Sequence, residues 1–528
     1  MDKREKFIGV AGGLGNNINN MIGAGIFSSP GTVWRNVGSP WIALILWAIG
    51  GFVSLCGTLT YTELGSQFHG AGETTYFEYS FPKPRLLLSY SFTMVYIVII
   101  RPAGISAVAN VCAQYLLFTL GLDAKGCDLY YDFHPPYFQG SNFWRLRLIT
   151  IAILAVIALY HSLSNKWSNR INQALVMIKV LTILTVVILG LSFAKASAER
   201  ANNGNRNWKS FSTADPSFYD VSATTWIQRY ITAMLTILFA YSGWNNLNYL
   251  TDEYETGGSY RNLWISNAGA VGIVTLLYLL ANFAYTAVLD VSTITGSTGS
   301  DPNEIIGIYF ATQISKVNDE IENPDANIKT ARALAFFIAL SAFGAAAVLM
   351  QSASRVVEKA GEHNYVPYIS TWLTTWNTRL GTPVNSFIAL FTWCSFLTLI
   401  VPGSSPFEFL TELEQYSAYF FFLLTAIGAL KLRRKGWLET RAYRAPLFAV
   451  LLFILFAFLI VVLAWVPEAH KSSPATSTIL TNATALQCPT SKINTYAVFG
   501  TSLGAVMLTG VLWWFLGDKF TREEENEK

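Results

Sequence analysis

The strongest constraint on this chain is a series of apolar runs, each near the roughly 20 residues that an α-helix needs to cross the hydrocarbon of a bilayer. They fall at about 8–36, 41–67, 86–120, 146–164, 171–194, 225–255, 262–289, 329–359, 384–402, 407–431, 446–466 and 494–517. Hydrocarbon offers no partner to a main-chain N–H or C=O, so a crossing segment must satisfy its own backbone, and a helix does this within one run. The pattern predicts an all-α polytopic membrane bundle of about twelve spans. Only 13% of the residues are charged, against about 25% in soluble domains. The net charge of +3 is too small for a nucleic-acid footprint. The expected organisation is a short tail at 1–7, a transmembrane domain at 8–517 and a charged tail at 518–528. The first run continues without a small-residue cleavage site, which argues against a signal peptide.

Basic residues in short loops mark the cytoplasmic side. With both termini inside, the inner segments hold Lys3, Arg4, Lys6, Lys83, Arg85, Lys166, Arg170, Arg261, Arg355 and Lys359. They also hold the densest basic cluster, Lys431, Arg433, Arg434 and Lys435. Arg145 and Arg147 go against this orientation and are outweighed. Cys127 and Cys488 then fall in outer loops, either bonded to each other or as two separate thiols, and Asn482-Ala483-Thr484 is a glycosylation sequon on the same side.

Two runs carry interruptions. The first reads Asn19-Asn20-Met21-Ile22-Gly23-Ala24-Gly25-Ile26-Phe27. Glycine costs about 1 kcal/mol relative to alanine inside a helix, so this stretch invites unwinding at mid-bilayer. The second, five spans later, reads Phe239-Ala240-Tyr241-Ser242-Gly243-Trp244-Asn245-Asn246-Leu247-Asn248. Broken helices in corresponding halves mark the substrate site of inverted-repeat transporters. A half-helix starting after the first break presents free amides and a partial positive charge. Ala24, Gly25 and Ile26 can therefore donate to a carboxylate, while carbonyls of Met21, Ile22, Phe239 and Ala240 can accept from an ammonium. Such a site holds an α-amino acid zwitterion without burying a protein charge.

At these residues the chain resembles the amino acid–polyamine–organocation superfamily, in its L-type amino acid transporter branch. The resemblance rests on ordered motifs: Ile22-Gly23-Ala24-Gly25-Ile26-Phe27-Ser28-Ser29-Pro30, Tyr61-Thr62-Glu63-Leu64-Gly65, Gly70-Ala71-Gly72-Glu73, Ile99-Ile100-Arg101-Pro102, Phe239 to Asn245, Tyr260-Arg261-Asn262-Leu263 and Ser352-Ala353-Ser354-Arg355. The stretch Gly72 to Tyr79 with Lys83-Pro84 is similar to fungal high-affinity methionine permeases. The resemblance implies the leucine-transporter-like fold, with inverted repeats at about 8–194 and 225–431, two extra helices at about 446–466 and 494–517, and discontinuous spans 1 and 6. It implies alternating access for neutral L-amino acids, methionine or other large neutral residues foremost, sodium-independent and proton-coupled, in a plasma membrane. A sodium-independent exchanger is the runner-up, and a non-transporting receptor ranks below it. Where many relatives have serine and glycine this chain has Ala24 and Ser242. Cys127 lies in the loop by which some relatives hold a glycoprotein heavy chain; Cys488 offers it an internal partner, so no heavy chain is implied.

By position in the resemblance, Ser242, Asn245, Ala418 and Tyr419 border the substrate and Phe239 gates it. Lys179, within an apolar run, resembles a built-in replacement for a sodium ion; a buried lysine can lose its proton, so it is also a candidate carrier of coupled protons, or else a fixed cation on the carbonyls of the first span. Arg101 and Glu63 read as members of structural ion pairs. Glu412 and Glu414 are possible proton carriers or solvent-facing carboxylates. His69 and His161 read as solvated loop-edge residues. No cofactor motif, metal-ligand cluster or nucleophile elbow appears, which disfavours an enzyme.

Overall fold

A computed structural model describes residues 6, 8–121, 141–200, 222–254, 260–289, 306–307, 310–311, 313–314, 324–377, 379–401, 406–436, 443–465 and 500–514. The helices, in order, are α1 (Val10–Met21), α2 (Gly25–Val37), α3 (Pro40–Gly65), α4 (Glu73–Ser80), α5 (Leu87–Val95), α6 (Arg101–Leu120), α7 (Ser141–Leu163), α8 (Asn165–Arg200), α9 (Ala223–Ala240), α10 (Tyr260–Val288), α11 (Pro324–Glu362), α12 (Val384–Ile400), α13 (Pro406–Arg434) and α14 (Leu447–Leu463). A last helix, α15, covers Gly500–Trp514. A π-helical turn at Tyr96–Ile100 joins α5 to α6, so Leu87–Leu120 runs as one span. Among the described residues, seven helical segments are long and apolar enough to cross a membrane on their own, and three shorter apolar helices, α12, α14 and α15, accompany them. No strand occurs among the described residues. The protein is a polytopic α-helical membrane protein.

Apolar side chains split into two populations. Leu148, Met177, Ile188, Leu276, Phe448 and Leu508 are exposed on helix surfaces, where lipid rather than water meets them. The interior mixes apolar side chains with many buried polar ones, as expected where small and polar residues hold helices together. At the centre, α11 lies along α6, α10 packs on α3 and α8, and α1 is enclosed by α10, α8 and α11. The two interrupted spans therefore occupy the middle of the bundle.

The C-terminal end of α3 is fixed by an ion pair. Glu63 is fully buried and receives Arg433 Nε at 2.6 Å, a second contact from Arg433 Nη2, and the Ala445 amide at 2.8 Å. This joins Glu63 to the basic cluster at the end of α13, as the sequence predicts. His161 departs from the expectation of a solvated residue. It is 1% exposed, lies against Ser168 Oγ, and stacks on Phe387 of α12 at 5.6 Å. The polar sequence around it marks the turn between α7 and α8, but α12 covers that turn.

Removing one partner of a buried ion pair strands the other charge, at about 3–5 kcal/mol. Arg433→Ala should lower the thermal midpoint of the detergent-solubilised protein. Adding Glu63→Gln to that variant should recover part of the loss. Equal midpoints for Arg433→Ala and the unmodified protein would show that the pair contributes nothing.

Candidate functional site

The first break is where the sequence places it. α1 ends at Met21, residues 22–24 bend, and α2 starts at Gly25. The first turn of a helix has no intrahelical acceptor for its amides, and here those amides fall on Gly25 and Ile26. The second break begins after α9. Residues 241–245 form turns, then short 3₁₀ turns run over Asn246–Tyr249 and Thr251–Glu253. The lower half of this span is thus a series of tight turns rather than a resumed α-helix.

The two breaks touch. A Cβ built on Gly25 would lie 2.7 Å from Ala240 Cα, so only glycine lets α2 start against the end of α9. Gly243 has φ +102°, and a Cβ there would lie 2.3 Å from Asn20 Cγ. Both the backbone conformation and the space demand glycine. Buried asparagines of α1 then tie the breaks together. Asn17 Oδ1 accepts from the Leu247 amide at 2.9 Å, and its Nδ2 donates to Asn267 Oδ1 on α10 at 2.8 Å. Asn246 Nδ2 donates to Asn16 Oδ1 at 2.5 Å. These groups would be costly in hydrocarbon without partners; here one break satisfies the other.

The carbonyls exposed by the breaks already have donors. Lys179 Nζ on α8 donates to Asn19 O at 2.6 Å and to Ile22 O at 2.7 Å, fully buried. Ser341 Oγ on α11 lies 3.2 Å from both Ile22 O and Gly23 O. Tyr278 Oη on α10 lies 2.6 Å from Met21 O and 2.9 Å from Ala240 O, one hydrogen between two acceptors. Phe239 O accepts from the Ser242 amide at 2.9 Å. A carbonyl oxygen has two lone pairs: Ile22 O already faces Lys179 and Ser341, and Met21 O faces Tyr278 and the Gly23 amide at 2.9 Å, whereas Ala240 O faces Tyr278 and keeps capacity for a further donor. Neither Tyr278 nor Ser341 stands out in the sequence, because one hydroxyl in an apolar helix leaves no pattern.

The remaining predicted residues lie on the same side of the second break. Phe239 closes α9 and is buried. Ser242 Oγ contacts Glu414 Oε1 on α13 at 3.5 Å, a long contact. Asn245 Nδ2 faces Glu73 Oε1 at 3.4 Å and Tyr249 Oη at 3.3 Å. Ala418 and Tyr419, one turn beyond Glu414 on α13, are buried. Tyr419 meets Phe422 at 5.3 Å, and Phe422 meets Trp244 of the break at 5.1 Å. Arg101 has the partners the sequence leaves unnamed: its Nε donates to Tyr96 Oη at 2.6 Å, and its guanidinium lies over the rings of Tyr96 and Tyr249 at 5.0 and 5.3 Å. Glu414 is 2% exposed, which rules out the solvent-facing alternative, whereas Glu412 is partly exposed. Glu73 is the site residue that sequence reasoning passes over, since the glycines before it read as the end of a span. No group of three or more potential metal ligands occurs among the described residues. Cys127, Cys488 and Asn482 lie outside the described residues.

Comparison with known proteins agrees with this architecture. The chain is 27% identical over 439 residues to the cystine/glutamate transporter of Homo sapiens, covering 83% of this chain and 75% of that one. It is 26% identical over 516 residues to the large neutral amino acids transporter small subunit 2 of Homo sapiens, covering 97% and 80%. It is 25% identical over 467 residues to the b(0,+)-type amino acid transporter 1 of Mus musculus, covering 88% and 83%. The Amino acid permease family matches residues 16–485. With that match over most of its length, and with two interrupted spans meeting inside a helical bundle, the chain belongs to the amino acid permease family, whose members are membrane transporters and not enzymes.

Proposed function

We propose that this chain is a secondary active transporter of neutral L-amino acids, sodium-independent and driven by protons, working by alternating access around the two breaks. The observation that carries this reading is the meeting of the Gly25 end of α2 with the Ala240 end of α9. A helix start and a helix end side by side offer opposite partial charges, worth up to about 2 kcal/mol per helix end when buried. The amides of Ala24, Gly25 and Ile26 take the substrate carboxylate, and the carbonyls of Met21, Ile22 and Ala240 take its ammonium in place of the Tyr278 and Ser341 hydroxyls. The side chain then extends along the second break, toward Phe239, Ser242, Asn245, Ala418 and Tyr419. That lining is apolar and aromatic around two hydroxyls and one amide, which suits a large neutral side chain such as that of methionine. The stretch Gly72 to Tyr79 supports the same substrate class through its similarity to methionine permeases.

Lys179 supports sodium independence. Its ammonium bridges two carbonyls of the first break, which is what a bound monovalent cation would otherwise do there. The basic cluster at the end of α13 supports a plasma-membrane orientation with both termini cytoplasmic.

Proteoliposomes holding the purified protein should take up radiolabelled L-methionine or L-leucine equally well when choline replaces sodium on both sides. Absence of uptake and of counterflow for every amino acid tested would end the transport reading; a requirement for sodium would end the coupling reading alone.

Two substitutions probe the geometry. Gly25→Ala places a methyl 2.7 Å from Ala240 Cα and should abolish uptake, whereas Gly272→Ala on α10 meets nothing within 4 Å and should keep it. Equal uptake per surface molecule in both would place the site elsewhere. Lys179→Met leaves buried carbonyls without their donor, at about 1–3 kcal/mol each. Uptake should fall roughly tenfold or more, since about 1.4 kcal/mol is a factor of ten, and full activity would remove Lys179 from the mechanism.

A further inference from the structure

We infer that the proton driving transport is carried by Glu414, and that Glu73 and Arg101 are present to keep it titratable. This rests on the transport reading above and adds the site of coupling to it.

The first observation is a count of charge. Glu63 faces its own arginine, Arg433, and Glu253 faces Arg355 at 2.6 Å. Glu73 and Glu414, both within 2% of full burial, share a single cation, Arg101, which acts electrostatically on each of them. Of the other buried cations among the described residues, Lys179 is committed to the carbonyls of Asn19 and Ile22, and Arg147 to those of Leu399 and Val401. With both carboxylates ionised, the cluster would hold one uncompensated negative charge in a low-dielectric interior, an arrangement that is strongly disfavoured. One proton removes the excess.

The second observation decides which carboxylate takes it. Glu73 is the first residue of α4, where the helix end favours an anion, and its Oε1 accepts from Tyr61 Oη at 2.8 Å and lies 3.4 Å from Asn245 Nδ2. Tyr249 adds a further side-chain hydrogen bond. Hydrogen bonds to the ionised form hold a carboxylate ionised. Each carboxylate has an Oε2 buried without a hydrogen-bond partner, but Glu414 has for its other oxygen the Ser242 hydroxyl alone, at 3.5 Å. Glu73 is therefore the carboxylate held ionised by its hydrogen bonds, and Glu414, whose charge is supported by Arg101 rather than by short hydrogen bonds, exchanges the proton. The ionisable groups facing this cluster come from several elements: Arg101 from α6, Tyr96 from the π turn, Glu73 and Tyr76 from α4, Tyr61 from α3 and Tyr249 from the second break; on α13 itself Tyr416 turns to Val461 and Trp465.

Ser242 connects Glu414 to the second break, so its protonation and the position of that break bear on each other. In the outward-open state a proton from outside binds a Glu414 oxygen, taking the cluster from one excess negative charge to none. The occluded protein then carries a neutral cluster and a zwitterion, and opening inward releases the amino acid and the proton together. Net movement is one positive charge per amino acid.

The test uses the full chain in proteoliposomes with trapped pyranine and radiolabelled L-methionine and L-leucine. The unmodified protein should admit protons with substrate and accumulate it under an inward proton gradient. Glu414→Gln should lose gradient-driven accumulation while counterflow continues without pH dependence, and Glu414→Asp should move the midpoint of the pH profile. Accumulation by Glu414→Gln equal to that of the unmodified protein overturns the inference, as does an unmoved profile in Glu414→Asp. Proton entry absent from the unmodified protein overturns it even if the glutamine variant does not fold. Counterflow without proton entry in the unmodified protein sinks this inference and leaves the transport reading standing; absence of both sinks the transport reading itself.

Discussion

The structure depends on one constraint: main chain unwound at membrane depth must find all its hydrogen-bond partners inside the protein. Two stretches, 22–24 and 241–254, break their helices, and the rest of the core is arranged around that fact. Lys179 from α8, Ser341 from α11 and Tyr278 from α10 each point a donor at carbonyls of the first break. Asn16 and Asn17 exchange hydrogen bonds with the second. Three helices distant in sequence thus converge on a few peptide groups. A regular helix at either place would need none of these residues and would have no main-chain dipole to offer a ligand.

The same constraint separates what the sequence reveals from what it hides. The spans are legible because the length and apolarity of a run are local properties. The breaks are legible because Gly23, Gly25 and Gly243 are poor helix residues and asparagine is rare in apolar surroundings. Lys179 is legible because one cation between Ile178 and Val180 has no other explanation. The partners that complete the site are not legible. Tyr278 and Met21 are 257 residues apart, and Ser341 and Ile22 are 319 apart. Nothing local tells such a hydroxyl from others that hydrogen-bond to their own helix, as Thr236 does with Thr232 O. Glu73 is hidden for a related reason, since its contact with Asn245 spans 172 positions. His161 fails the other way: its neighbours are polar, but a helix more than two hundred residues later covers it.

Glycine carries two roles here, and only one of them concerns a ligand. From sequence, Gly25 reads as the residue that lets a carboxylate approach the main chain. The geometry adds a second demand, since Gly25 also admits the end of α9 to within the space of a methyl group. The two demands reinforce each other. The helix end that binds an anion and the helix end that binds a cation must be close enough for one amino acid to reach both, and glycine at 25 sets that distance. A larger residue would push the two dipoles apart before it touched any substrate.

The buried charges divide into fixed and adjustable ones, and geometry tells them apart. Lys179 has two short hydrogen bonds from a fully buried side chain to the carbonyls of Asn19 and Ile22. Those two acceptors hold it at the first break, where it behaves as a structural cation. Glu63 and Glu253 each face an arginine in one-to-one pairs. Glu414 shares Arg101 with Glu73, has only a long hydrogen bond, and touches the unwound span through Ser242. In a low-dielectric interior, the group with the weakest hold on its charge changes protonation first. Rigid ion pairs around a single under-supported carboxylate are therefore what concentrates titration at the place where it can be read by the transport cycle.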